Sequence, residues 1–100
     1  MAVYFVGSYD ITDLEAFESY VPQAQALLEK YGAEVIVADF DALALEGEKK
    51  SSYVVLRFES EQVALDWYND PDYERVKKIR LDATSNGNVV LAKAFTPPEA

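Results

Sequence analysis

Val3-Tyr4-Phe5-Val6-Gly7-Ser8-Tyr9 decides the fold. Aromatic and β-branched residues dominate it, and polar Ser8 to Asp10 follow, as expected of a strand over Ala2 to Tyr9. Successive side chains of a strand point to opposite faces of a sheet. One parity carries Val3, Phe5 and Tyr9, the other Tyr4 and Val6, so both faces are apolar. The same holds further on. Tyr53 and Val55 oppose Val54, Leu56 and Phe58; Val89, Leu91 and Phe95 oppose Val90, Ala92 and Ala94. An antiparallel sheet with one wet face alternates apolar and polar residues. This one does not, and the sequence offers helices enough to cover only one face. The expected cover for the other is a second copy of the same chain.

Working outward, Thr12 and Glu15 form a capping-box pattern ahead of a helix. Its apolar stripe is Leu14, Phe17, Val21, Ala24, Leu28 and Tyr31, and Gly32 is a natural stop. Pro22 inside it predicts a kink or break near Tyr20. A second strand is expected over Glu34 to Ala38, with a short edge strand around Leu43 and Leu45. A third runs over Ser52 to Phe58. Ser60 caps a helix carrying Val63, Ala64, Trp67 and Tyr68. Pro71 opens another through Tyr73, Val76 and Ile79 to about Leu81. Asn86-Gly87-Asn88 reads as a turn before a last strand over Val89 to Phe95. The order strand, helix, strand, strand, broken helix, strand is the ferredoxin-like βαββαβ pattern, an α+β fold with both helical segments on one sheet face. A single domain over residues 1–96 and a disordered tail over 97–100 are expected.

Composition prunes the chemistry. The net charge of −9, from 18 acidic and 9 basic residues, would repel a phosphate backbone, so no nucleic-acid partner is expected. No apolar run reaches the roughly 20 residues of a membrane span. No secretory signal is evident at the start, so a cytoplasmic location is the expectation. Histidine and cysteine are both absent. That removes the usual base near neutral pH, the thiolate nucleophile and most zinc and haem ligation; no cofactor and no metal are expected.

Several pieces resemble a known family. They are Tyr9-Asp10-Ile11-Thr12-Asp13, Tyr31-Gly32, Leu45-Glu46-Gly47, Phe58-Glu59-Ser60, Trp67-Tyr68-Asn69-Asp70-Pro71-Asp72-Tyr73 and Arg80. Over nearly its whole length the chain is similar to domain-of-unknown-function family 1330, in the dimeric α/β-barrel superfamily. Relatives carry a second glycine after Tyr-Gly and a basic, glycine-rich segment after the second strand. Here those places hold Ala33 and Asp39-Phe40-Asp41. The resemblance implies two protomers with facing sheets and helices outside. The superfamily includes haem-degrading and quinone-forming monooxygenases, lactone isomerases and stress-responsive proteins, so it implies a fold rather than a reaction.

Arg80 falls on the inward stripe with Tyr73 and Val76, where an apolar residue is expected. Either it anchors a carboxylate or other anion, or it pairs internally, with Asp10 or Asp82, or lays its stem along the core. Trp67, Tyr68 and Tyr73 either line an aromatic pocket or fill the core. Tyr9 and Asp10 either face a cavity mouth, with Asp10 as a base, or simply end the strand. Arg57 and Lys93, polar on apolar strands, are expected at wet parts of a dimer interface. The reading is a homodimer that binds a small, partly apolar molecule, with an anionic group as one option, between helices and sheet. The alternatives are a cofactor-independent monooxygenase or lactone isomerase, and a structural or regulatory dimer without ligand.

Overall fold

The computed structural model describes residues 1–98. Its elements are β1 (Val3–Ile11), α1 (Leu14–Lys30), β2 (Glu34–Asp39), β3 (Ser52–Phe58), α2 (Glu61–Tyr68), α3 (Pro71–Asp82) and β4 (Thr84–Lys93). The strands lie in the order β2-β3-β1-β4 and every neighbouring pair is antiparallel. This is the ferredoxin-like arrangement. Pro97 and Pro98 carry no regular structure, and the last two positions of the expected tail, Glu99 and Ala100, lie outside the described residues.

Most boundaries follow from local chemistry. Ser60 Oγ accepts the Val63 N–H at 3.2 Å and starts α2. Asp70 Oδ1 accepts the Asp72 N–H at 2.8 Å, and Pro71 occupies the first turn of α3. Gly32, at φ 67°, ends α1 in the left-handed conformation, which glycine adopts without a Cβ penalty.

Four expectations are corrected. The cap of α1 is Asp13, whose Oδ1 accepts the Ala16 N–H at 3.1 Å; Thr12 instead donates its backbone N–H to the Ala83 carbonyl at 2.8 Å. That clamp on the end of α3 moves the helix start one residue on. The inward face of α1 is Phe17, Tyr20, Ala24 and Leu28, which leaves Leu14 and Val21 at 61% and 41% exposure. α1 runs unbroken through Pro22, because Glu18 and Pro22 lie on the exposed side, where water can serve the freed carbonyl. Residues 40–51 form no strand; a turn at Gly47 and an ion pair of Lys49 with Asp41 at 2.8 Å fold the segment back on itself. Asn86-Gly87-Asn88 is no turn either. β4 already begins at Thr84, and the β1–β4 register shifts between Ser8 and Asp10, with Asn86 at φ 52°. Turn chemistry here makes a bulge inside a strand.

The register divides the sheet as the parities require. Val3, Phe5, Leu56 and Phe58 are buried under the helices against Ala64, Trp67, Tyr73 and Val76. The other face carries Tyr4, Val6, Val55 and Val90, with no element of the described residues over it. Arg57 lies on that open face, paired with Glu34 at 3.4 Å and Glu59 at 3.0 Å. Lys93 does not join it: its register partner is Val3, so it belongs to the helix-covered side.

Asp70 ties the helix layer together. It accepts the Tyr31 hydroxyl and the Lys30 ammonium, the latter at 3.1 Å, from the end of α1. The Tyr31 phenol, the Asp72 N–H and Lys30 hold its carboxyl down at about 2. An unfolded Asp titrates near 3.9. Its ionised form thus stabilises the fold above about pH 4, and the contribution is lost as pH falls through about 2. Asp70→Asn, which keeps a capping side chain, should lower the melting temperature at pH 7. The gap to wild type should close toward pH 2; thermal melts of both proteins across that range check it.

Candidate functional site

α1 packs along α3 and stands off the sheet. The space left between α1 and the helix-facing side of β1, β2 and β3 is a cleft of about 260 Å³. Its rim carries Val21, Val35 and Phe40, all substantially exposed. Its walls are Phe5, Phe17, Leu28, Val54 and Leu56. Tyr9, Tyr20 and Arg80 line its buried end.

Arg80 is 3% exposed, and its Nε and Nη2 atoms are buried without a hydrogen-bond partner among the described residues. It forms no ion pair among them. The internal partners open at the sequence level are elsewhere. Asp82 is exposed. Asp10 accepts from the Ser51 N–H at 3.1 Å and from Asn86 Nδ2 at 3.0 Å. The guanidinium carbon lies 5.5 Å from the centre of the Tyr9 ring, a cation–π distance. Burial works to lower the Arg80 pKa, but Tyr73 and Tyr20 outweigh it and the net direction is up. A guanidinium is not deprotonated in proteins, so the charge persists at any working pH.

Beside it, the hydroxyls of Tyr20 and Tyr73 meet at 2.7 Å. Two hydroxyls share one hydrogen bond, so one hydrogen is left over, while the Tyr73 oxygen also stands as an acceptor toward the Arg80 guanidinium. Burial pushes the pKa of both Tyr9 and Tyr20 upward, so both phenols stay protonated. Trp67 Nε1 is likewise buried without a partner among the described residues, and Ser52 Oγ, buried opposite Tyr9 across β1 and β3, is directed to the Tyr9 phenol. Among the described residues no side chain lining the cleft is a carboxylate. The buried end is thus rich in donors and carries a single positive charge.

Of the residues read from the sequence, Arg80, Tyr9 and Trp67 line this cleft, and Tyr73 lies fully buried behind Tyr20. Trp67 and Tyr73 also stack with centroids 4.2 Å apart. Tyr68 is separated from the cleft: it borders a shallower groove with Leu65 and Val90, and its ring lies 3.8 Å from Lys77 Nζ. Asp10, bound to Ser51 and Asn86, is not among the cleft residues. Tyr20, Phe17 and Phe40 belong to the site without having been read from the sequence as site residues. The signal for Tyr20 was available, since Phe17, Tyr20, Ala24 and Leu28 fit helical spacing as well as a stripe through Val21 does.

The family model for a domain of unknown function, DUF1330, matches residues 2–95. The chain belongs to that family. No curated protein sequence matches it. Among solved structures, this DUF1330 chain is similar to a protein of unknown function from Rhodopseudomonas palustris, at TM-score 0.83 and 17% identity over 96% of this chain and 84% of that one. A dimeric ferredoxin-like protein of unknown function from Bacteroides fragilis matches at TM-score 0.66 and 14% identity, over 93% and 96% of the two chains. SnoaB, a cofactor-independent oxygenase from Streptomyces nogalater, matches at TM-score 0.66 and 21% identity, over 98% of both. Identities this low carry the fold alone. Among the described residues no helix is long and apolar enough to cross a membrane, and no cluster of three or more acidic side chains could hold a metal ion.

Proposed function

We propose that this DUF1330 protein is a homodimer that binds a small, partly apolar molecule in the cleft between α1 and the sheet, with the molecule's polar end toward Arg80. The observation that carries the reading is a charged, buried Arg80 with unpaired donors at the end of an otherwise apolar cleft. Sites for small ligands have this composition: apolar walls and a few convergent polar groups. An unpartnered buried charge is costly, and a core without a ligand would gain nothing from keeping one. A purely structural dimer leaves both cleft and guanidinium without a purpose. Dimerisation is supported by the uncovered apolar sheet face and by the dimeric ferredoxin-like relative.

The oxygenase reading is favoured by the likeness to SnoaB. It stands second because the cleft holds no base at neutral pH: its lining has no carboxylate, and its two phenols have raised pKa values. A substrate would have to lose its proton unaided. Trp67 is the only tryptophan and lines the cleft, so its emission reports on occupancy. A ligand such as 8-anilinonaphthalene-1-sulfonate should quench or shift it in the wild type. In Ala24→Phe, where a ring fills the cleft beneath α1, the response should disappear. An undiminished response in a folded Ala24→Phe would place binding elsewhere.

A further inference from the structure

We infer that the molecule taken by the cleft is a monocarboxylate with an apolar, ring-sized body, its carboxylate against Arg80 and its body toward Val21, Val35 and Phe40; this rests on the cleft-binding reading above. Three observations narrow the class. The first is the donor excess. Among the described residues the Arg80 Nε and Nη2 hydrogens lack acceptors, the Tyr20–Tyr73 pair has one hydrogen to spare, and the cleft lining supplies no carboxylate. A group that only donates, such as an amine, would meet more donors. An ionised carboxylate only accepts.

The second is shape. Nε and Nη2 bear the two parallel N–H groups on one edge of a guanidinium, the fork that a carboxylate meets with both oxygens. Both nitrogens are buried, and the guanidinium to which they belong lines the cleft. The third is charge. Among the described residues Arg80 is the one cation of the cleft lining, and the lining holds no anion. A monoanion leaves the buried end neutral. A phosphate monoester or dicarboxylate leaves a net negative charge in a low-dielectric site, on a chain already at −9. The walls are aliphatic and aromatic, and about 260 Å³ of space exceeds the roughly 150 Å³ cavity that takes a benzene ring.

The test uses the intact protein and three probes that share a phenyl body: 3-phenylpropionate, 3-phenylpropanamide and phenyl phosphate. Affinities come from calorimetry, and binding is located by backbone amide shifts. The propionate should bind about tenfold or more tightly than the amide, the worth of a hydrogen bond to a charged group. It should also bind more tightly than phenyl phosphate. Arg80→Gln should bring the propionate down to the level of the amide. Equal binding of propionate and amide at the cleft would overturn the carboxylate inference while keeping the cleft as a ligand site. Tighter binding of phenyl phosphate would overturn the monoanion argument. If no probe shifts cleft residues, the reading of the cleft falls, and the inference with it.

Discussion

Val6→Asp should turn a dimer into a monomer. Val6 lies on β1 in the middle of the open sheet face, level with Val55 on β3 and Val90 on β4. Val6 is 39% and Val90 50% exposed, and no element of the described residues covers them. When two such faces meet, an aspartate here enters an apolar interface without a partner, and its symmetry mate enters with it. Desolvating each unpaired carboxylate costs several kcal/mol. Even one such penalty of about 4 kcal/mol weakens association by roughly a thousandfold. The fold itself should survive, because the core lies on the other side of the sheet, among Phe5, Leu56, Trp67 and Tyr73. The monomer should melt lower and bind more of a hydrophobic dye, since its apolar face stays wet. Leu81→Asp is the control: Leu81 is 55% exposed on α3, in the helix layer, and should leave the mass unchanged. Sedimentation velocity at micromolar concentration decides. A monomeric wild type, or a Val6→Asp protein that remains dimeric, would remove the open face from the interface.

The fold was legible because strand parity is a long-range signal written locally. Apolar residues on both parities of β1, β3 and β4 require two covers, and the two-residue period assigns each side chain to one of them. Caps were nearly as legible: Ser60, Pro71 and Gly32 each do what their local chemistry suggests. The misses share a cause. Thr12, Leu43 and Asn86 carry local signals that contacts made in the folded chain override. The Ala83 carbonyl takes the Thr12 N–H, the Lys49–Asp41 ion pair folds the segment that holds Leu43 back on itself, and a bulge in β4 absorbs Asn86. The site divides the same way. An arginine on an apolar helical stripe marks Arg80 without any structure. That Asp10 is bound by Ser51 and Asn86, and that Tyr20 meets Tyr73 across 53 residues, are facts of tertiary contact. No local pattern carries them.

Arg80→Met should give a protein at least as stable as wild type and blind to carboxylates. At the sequence level the outcome depends on the partner. Had the guanidinium been paired with a buried carboxylate, its loss would orphan that carboxylate and destabilise by about 3–5 kcal/mol. The structure shows no such carboxylate: Asp10 is satisfied by Ser51 and Asn86, Asp82 is exposed, and Arg80 joins no ion pair among the described residues. Methionine keeps most of the apolar stem and fills the same groove beside Tyr9 and Tyr20, while the desolvated charge is removed. Replacing buried ionic groups by apolar ones of similar volume is often neutral or stabilising by about 1–4 kcal/mol. In a domain of this length each kcal/mol moves the melting temperature by roughly 4–8 °C. The expected melt is therefore unchanged or higher, with the carboxylate-induced shift of the wild type abolished. A melt lowered by the equivalent of 3–5 kcal/mol would show that Arg80 is tied to a carboxylate of the fold. An unchanged ligand response would show that the anion sits elsewhere. A residue that weakens the apo fold and is needed only when the cleft is filled is kept for the ligand, and this pair of measurements separates that role from a structural one.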